Sequence, residues 1–274
     1  DRGCLMHLID ADGAGQQEPA PRFLIERRNL ILQRVLDEGR VDVSDLADAF
    51  QVTTETIRRD LVALEQDRLV QRVHGGAVPW HNRGFEPLLD VRLSQHADEK
   101  RRVAHAALTE LPERGTVIID SGSTTAFLAD GLDRQRNLTV ITNSIPVLTT
   151  LAATPQPDVI LLGGGLRRDT MALVDETGVE ALDGMTADVL FLSCDGVSPE
   201  RGFTTPYRHE AAIKKAMIAA ARRVVMVFDH SKIGHDHLFR FATFNDVDVI
   251  ITGAELDVAT AQSLAAEGPE VRRG

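Results

Sequence analysis

Cysteine is scarce in this chain. Cys4 and Cys194 are the only two in 274 residues, too few for a disulfide framework and in keeping with a reducing cytoplasm. Long apolar runs are missing too, and without a stretch of about 18 apolar residues no membrane-spanning helix is expected. The opening DRGCLMHLIDADGAGQQEPAP lacks the charged-then-apolar order and small-residue cleavage site of a secretion signal. Rich in Gly, Pro and Gln, residues 1–21 are expected to form a poorly ordered leader. Positive charge is also short. A formal net charge of -11 argues against a protein that coats nucleic acid indiscriminately, because non-specific binding is mostly phosphate neutralisation. A small domain with a local basic face remains compatible with that balance. What the chain does have is 43% hydrophobic residues, enough for a real core, and a length that suggests two domains.

A helical pattern begins at Arg22, where Ile25, Leu30, Ile31, Val35 and Leu36 recur at spacings of three to five, and Gly39 is the expected stop. VDVSDLADAF then reads as a short strand or turn followed by a short helix, with Ser44 as its N-cap and Leu46, Ala47 and Phe50 inside. Gln51-Val52 makes a tight connection, and Thr53 caps a third helix. Ile57, Leu61 and Leu64 of that helix share one narrow stripe facing the first two helices. Glu55, Arg58, Arg59 and Val62 lie toward the opposite side, with Thr54 and Thr56 on its flanks. LVQRVHGGAV follows as strand, turn and strand, placing Arg72 and His74 near Gly75-Gly76 at the tip. A helix-turn-helix sets the start of its last helix in the major groove, where arginine bonds guanine edges or phosphates. A two-stranded wing of this kind lies along the DNA backbone. A solvated face with salt-bridged charges is the competing use of such residues, and Glu55, Asp60 and Glu65 supply the acids for it. The order of helix, turn, capped helix and wing within one short domain, residues 22–78, favours DNA binding.

Here the sequence resembles the DeoR family of bacterial transcriptional regulators. The resemblance rests on Thr53-Thr54-Glu55-Thr56-Ile57-Arg58-Arg59-Asp60-Leu61 and on the wing Arg72-Val73-His74-Gly75-Gly76-Ala77.

Residues 79–95 read as a linker that starts as a loop through Pro79, Gly84 and Pro87, and helix is expected from there as far as Leu111. From Gly115 the texture changes. TVIID, LTVIT, DVILLGG, ADVLFLS, RVVMVFD and DVDVIITG are apolar, β-branched runs of strand length, alternating with stretches such as TTAFLADGL, SIPVLTTLA and HEAAIKKAMIAAA that read as crossover helices. Continuous apolar runs suit strands buried on both faces of a parallel sheet. The expected fold class is therefore α/β, a winged helix-turn-helix plus a mostly parallel sheet domain over residues 96–274. Ligands are expected outside the C-terminal ends of its strands.

Four strand ends carry candidate ligand residues. Asp120-Ser121-Gly122-Ser123-Thr124-Thr125 opens a helix with backbone N–H groups and hydroxyls suited to an oxyanion, although an ordinary N-cap uses the same residues. No Gly-Lys-Thr follows, so it is not a nucleotide P-loop. The second end is Thr142-Asn143-Ser144. The third is Gly163-Gly164-Gly165 with Arg167 and Arg168, a run that a plain flexible turn explains as well as ligand approach does. Asp195-Gly196 forms the fourth, with Gly202-Phe203-Thr204-Thr205, Glu210 and Lys214 downstream. Lys232 follows a further strand, with surface lysine as the plain alternative to ligand contact. Phosphate cradle, amide, carboxylates and cations together suit a small phosphorylated polyhydroxyl compound. His230, His235 and His237 lack metal-ligand spacing, so no metal or cofactor is expected, and Cys194 reads as an inert buried thiol.

DSGSTT, TNS, LGGG, DGVSPERGFTT, the helix from Glu210 to Ala221 and FDHSKIG are similar, in order, to the blocks of the DeoR sensor domain. That resemblance implies a fold like ribose-5-phosphate isomerase, with Asp195 and Glu210 near the positions of acid–base chemistry in those enzymes. Ser193-Cys194, Tyr207-Arg208-His209 and Asp175 are the less ordinary residues within the pattern. The expectation is a cytoplasmic, homo-oligomeric (dimer or tetramer) transcriptional regulator, a repressor of carbohydrate genes that binds an operator in double-stranded DNA and senses a sugar phosphate, and not an enzyme. An isomerase-like enzyme with an accessory DNA-binding domain is the alternative.

Overall fold

The amphipathic stretch at the start of the described chain forms a helix, α1 (Leu24–Glu38), and Gly39 ends it at φ +71°. Residues 24–66, 69–79, 88–132, 137–153 and 155–274 are described in the computed structural model, so the expected leader, Cys4 and the loop through Gly84 and Pro87 lie outside them. The chain divides into two compact units between Trp80 and His81.

In the first unit α1 is followed by β1 (Val41–Asp42), α2 (Val43–Phe50), α3 (Thr54–Gln66), β2 (Val70–Val73) and β3 (Gly76–Pro79). Ile31 and Val35 of α1, Leu46 and Phe50 of α2, and Ile57, Leu61 and Leu64 of α3 are buried, as their spacing predicts. Gln51 turns the chain between α2 and α3 in the left-handed region, at φ 51°. The three strands pair antiparallel in the order β1-β3-β2. Gly76 is required there, because a Cβ would collide with the Val41 carbonyl.

The second unit begins with α4 (Leu89–Ser94) and α5 (Ala97–Ala107), so the stretch expected to connect the two parts contributes a helix to the second. Then come β4 (Arg114–Ile119), α6 (Ser123–Gly131), β5 (Asn137–Thr142), α7 (Ile145–Ala152), β6 (Asp158–Leu161), β7 (Leu166–Arg167), β8 (Ala172–Leu173) and α8 (Glu176–Ala181). The remainder is β9 (Val189–Leu192), β10 (Gly196–Ser198), β11 (Gly202–Thr205), α9 (Arg208–Ala219), β12 (Val224–Val227), β13 (Phe239–Ala242), β14 (Val249–Thr252), α10 (Val258–Ala266) and β15 (Glu270–Arg273).

Seven strands form a parallel sheet in the order β15-β14-β12-β9-β4-β5-β6. Successive side chains enter opposite cores. Ile118, Leu190, Met226 and Ile250 belong to one cluster, while Val117, Ile119, Phe191, Val225 and Ile251 belong to the other. All six apolar runs picked out in the sequence lie in this sheet. From β4 the chain builds first to one side, through β5 and β6, and later to the other, beginning with β9. The reversal opens a crevice beyond the C-terminal ends of β4 and β9, the place where such sheets bind ligands. A second sheet, antiparallel in the order β10-β11-β13, stands next to it where the sequence suggested loops.

Candidate functional site

Of the DNA-binding candidates in the first unit, Ser44, Thr53, Thr54, Glu55, Arg58, Arg59, Arg72 and His74 are exposed and Thr56 is half-buried. Thr53 caps α3, its hydroxyl accepting from Thr56 N at 3.2 Å and lying 2.9 Å from Thr56 Oγ1. Thr54, Glu55, Arg58 and Arg59 are exposed beyond the cap. The two arginines reach Glu55 only at 3.7 and 3.6 Å, contacts weak enough to be exchanged for phosphate or base. Asp60, by contrast, is buried and accepts from Arg27 Nε at 2.7 Å and Arg28 Nε at 3.1 Å, which fixes α3 against α1. Asp60 is thus an anchor of the helix and not part of its charged outer face.

Ser44 does not cap α2. The N-cap is Asp42, without a side-chain capping bond, and the exposed Ser44 lies two residues later with its hydroxyl on Asp45. In the wing, Arg72 donates from Nε to Glu65 at 2.7 Å and from its backbone N at 3.0 Å, and these bonds hold Glu65 below the usual carboxylate range. His74 is exposed at the turn, and its carbonyl accepts from Arg40. Arg40, a wing-side cation, had no periodic signal to single it out.

In the second unit the charged candidates converge at the strand reversal. Lys214 of α9 donates from Nζ to Asp120 Oδ2 at 2.5 Å and to Ser193 O at 3.0 Å, while Ser193 N donates to the same Asp120 oxygen at 3.2 Å. Lys214 is buried, which disfavours its charge, but Asp120, Glu210 and Asp195 outweigh that and raise its pKa. Glu210 accepts from Arg167, from Thr170 Oγ1 at 3.2 Å and from Thr205 Oγ1 at 3.1 Å. The Arg167 guanidinium also lies 3.3 Å above the centre of the Tyr207 ring. Arg92 of α4 pairs with Asp195 at 3.2 Å. Burial pushes Asp195 up, yet Arg92, Lys214 and Lys232 hold it below the carboxylate range.

Arg92, Ser121, Gly122, Thr170, Ser193, Cys194, Asp195, Glu210 and Lys214 enclose a cavity of about 10 Å³, room for roughly a single water. Gly122 must lack a side chain there, since a Cβ would collide with Ser193. Ser123, Thr124 and Thr125 are buried at the start of α6, whose first N–H groups have no partner within the helix. The Thr125 hydroxyl donates to the Asp120 and Gly122 carbonyls, so it shapes the loop. Asp120 Oδ1 and Asn143 Oδ1 are buried without a donor among the described residues.

Several candidates serve the scaffold or stand apart. Gly163 and Gly164 are exposed and do not line the cavity, and Asp175 staples their loop by accepting from Gly165 N at 2.7 Å while capping α8. Thr204 ties its strand to Gly196 O and accepts from His237 N, whereas Thr205, on the opposite face of the strand, meets Glu210. Lys232 sits half-buried on the turn His230–Lys232. Arg92, Thr170 and Ser193 carry no ligand signal in the sequence, because what marks them is a partner far away in the chain. Burial raises the Cys194 thiol pKa, so it is inert at neutral pH.

A winged helix-turn-helix joined to an α/β domain with a charged crevice at its strand reversal defines a DNA-binding regulator with a sensor domain. Comparison with known families agrees: the DeoR-like helix-turn-helix domain matches residues 27–83 and the DeoR C terminal sensor domain matches residues 95–254. The chain belongs to the DeoR family of transcriptional regulators. It is 35% identical to the HTH-type transcriptional regulator GlpR of Haloferax volcanii, over 91% of this chain and 97% of that one. It is 30% identical to the Glycerol-3-phosphate regulon repressor of Escherichia coli, over 87% and 94%. Ribose 5 phosphate isomerase A from Neisseria gonorrhoeae matches with a TM-score of 0.38 and 19% identity, over 51% of this chain and 55% of that one. The named relatives are regulators, not enzymes. Among the described residues no helix is long and apolar enough to cross a membrane.

Proposed function

We propose that the protein is a cytoplasmic, oligomeric repressor whose grip on a double-stranded operator is loosened by a small phosphorylated sugar or polyol in the crevice of the second unit. The observation that carries this reading is the set of three cation–carboxylate pairs, Lys214–Asp120, Arg167–Glu210 and Arg92–Asp195, at the N-terminus of α6. A phosphate offers acceptors to those cations and to the helix N–H groups, and sugar hydroxyls offer donors to Asp120 Oδ1 and Asn143 Oδ1. Because so little space is open, a ligand must part these pairs to enter. Two packings of one charged cluster give the ligand the differential affinity that any switch requires. The name of one relative, a glycerol-3-phosphate regulon repressor, supports a small phosphorylated polyol or sugar as the effector.

Calorimetric titration of the full chain with glycerol 3-phosphate, ribose 5-phosphate and fructose phosphates tests this. One of them is expected to bind, and its unphosphorylated parent to bind at least tenfold less tightly. Equal affinity for phosphorylated and unphosphorylated forms would overturn the phosphate assignment.

A further inference from the structure

A second polar cluster lies outside that crevice. His96 precedes α5, Glu99 is in its first turn, and His230 follows β12. Their nearest ligand atoms all fall within 4.8 Å of one another. Glu99 Oε2 is 2.8 Å from His230 Nδ1 and 4.0 Å from His96 Nδ1, so both imidazoles turn the same nitrogen toward one carboxylate oxygen. The other oxygen, Oε1, accepts from His230 N at 2.7 Å, which orients the carboxylate as an outer partner orients a metal ligand.

Three features set this cluster apart from a chance surface pair. Glu99 is only 4% exposed, yet among the described residues no lysine or arginine pairs with it; its bonds are to His230. The neighbouring Lys100 Nζ points elsewhere, to Arg92 O, Gln95 O and Asp229. His96 holds a left-handed backbone, φ 49° and ψ 34°, uncommon for a residue that is not glycine and a conformation that clusters at ligand sites. Finally, Gly253 has no side chain where a Cβ would collide with the carboxylates of both Glu99 and Glu255, so a second carboxylate, now turned to Arg102, approaches the same spot.

We propose that His96, Glu99 and His230 bind a divalent transition-metal ion of the zinc class, with a fourth position left for water or Glu255. Two imidazoles and a carboxylate are the donor set of such ions and not of magnesium or calcium. Tetrahedral zinc at its usual bond lengths holds neighbouring donor atoms roughly 3.3 Å apart, which falls between the two Glu99 separations of 2.8 and 4.0 Å, and the two rings must turn toward each other from within 4.8 Å to complete the geometry. Asp229 lies near His96 and Glu255 near His230, so with Glu99 three carboxylates stand against the nearby cations Lys100, Arg102 and Lys232. The ion would tie the start of α5 to the end of β12, and to the end of β14 as well where Glu255 takes the fourth position.

Zinc titration of the metal-stripped full chain, with cobalt absorption as a second readout, tests the site. One ion per chain is expected, with a tetrahedral cobalt spectrum and a zinc-dependent rise in Tm. His96→Asn keeps a residue that tolerates the left-handed backbone but removes the imidazole. This variant and His230→Ala should each weaken zinc binding more than about tenfold, the loss typical even for an outer partner of a ligand. His105→Ala and His235→Ala, which alter exposed histidines, should leave it unchanged. Absence of stoichiometric binding in wild type, or binding and a Tm rise that survive both ligand substitutions, would overturn the proposal.

Discussion

Lys214 and Asp120 show how single residues carry this domain. Each is buried, and each is tolerable only because the other neutralises it. Lys214→Met would leave Asp120 charged and unpaired, an expected loss of about 3–5 kcal/mol in urea unfolding. Adding Asp120→Asn should return most of it, because the cost lies in the orphaned charge; a double variant no better than the single would contradict the pairing. On the other unit, Arg58 and Arg59 have no strong protein partner among the described residues and are the side chains most available to DNA. Arg58→Ala and Arg59→Ala are each expected to weaken operator binding in anisotropy titrations, by about 1–3 kcal/mol at any base they read. A loss uniform across sequences would mark a phosphate contact, and unchanged binding by both would sink the recognition-helix assignment.

At the scale of elements, legibility followed burial. The five inner strands were readable because burial on both faces imposes continuous β-branched runs, the edge strand β6 because it keeps an apolar run although half-exposed, and α3 because its stripe has helical period. β15 was missed, since Glu270, Arg272 and Arg273 give an edge strand no apolar signature. Long-range charge secures it instead: Arg272 and Arg223 both reach Glu110, at 2.5 and 2.6 Å. Burial pushes Glu110 up, but these arginines outweigh it and hold its pKa below the ordinary value. A depressed carboxylate contributes stability above its unfolded pKa, about 4.3, and loses that contribution as pH falls through the lower folded value. Glu110→Gln should therefore lower Tm at pH 7, with the gap to wild type narrowing below about pH 4; a gap independent of pH would show that packing, not charge, is lost. The site was legible in the same uneven way. Asp120, Glu210 and Lys214 stood at strand ends or one helical turn apart, whereas Arg92 and Thr205 gained meaning only from the strand reversal and from which face of a strand looks inward.

For the whole molecule, two compact units on one chain raise the question of how one informs the other. A single helix-turn-helix buries little DNA, and paired half-sites are the usual remedy, so footprinting is expected to show two protected half-sites one or more helical turns apart and sedimentation a dimer or tetramer. A monomer protecting one half-site would contradict that. Linkage then sets the rule for the switch: an effector that weakens operator binding must itself bind less tightly to the DNA-bound protein, by the same factor. The most direct test of the central claim is operator titration at fixed salt, with and without the effector, for wild type and for Ser123→Asp. The substitution places a carboxylate at the start of α6, where the phosphate is proposed to sit. Wild type should lose about 5–150-fold in operator affinity when the effector is added, while Ser123→Asp binds operator normally and ignores the effector. Release of DNA from the Ser123→Asp protein by the same metabolite would contradict the account.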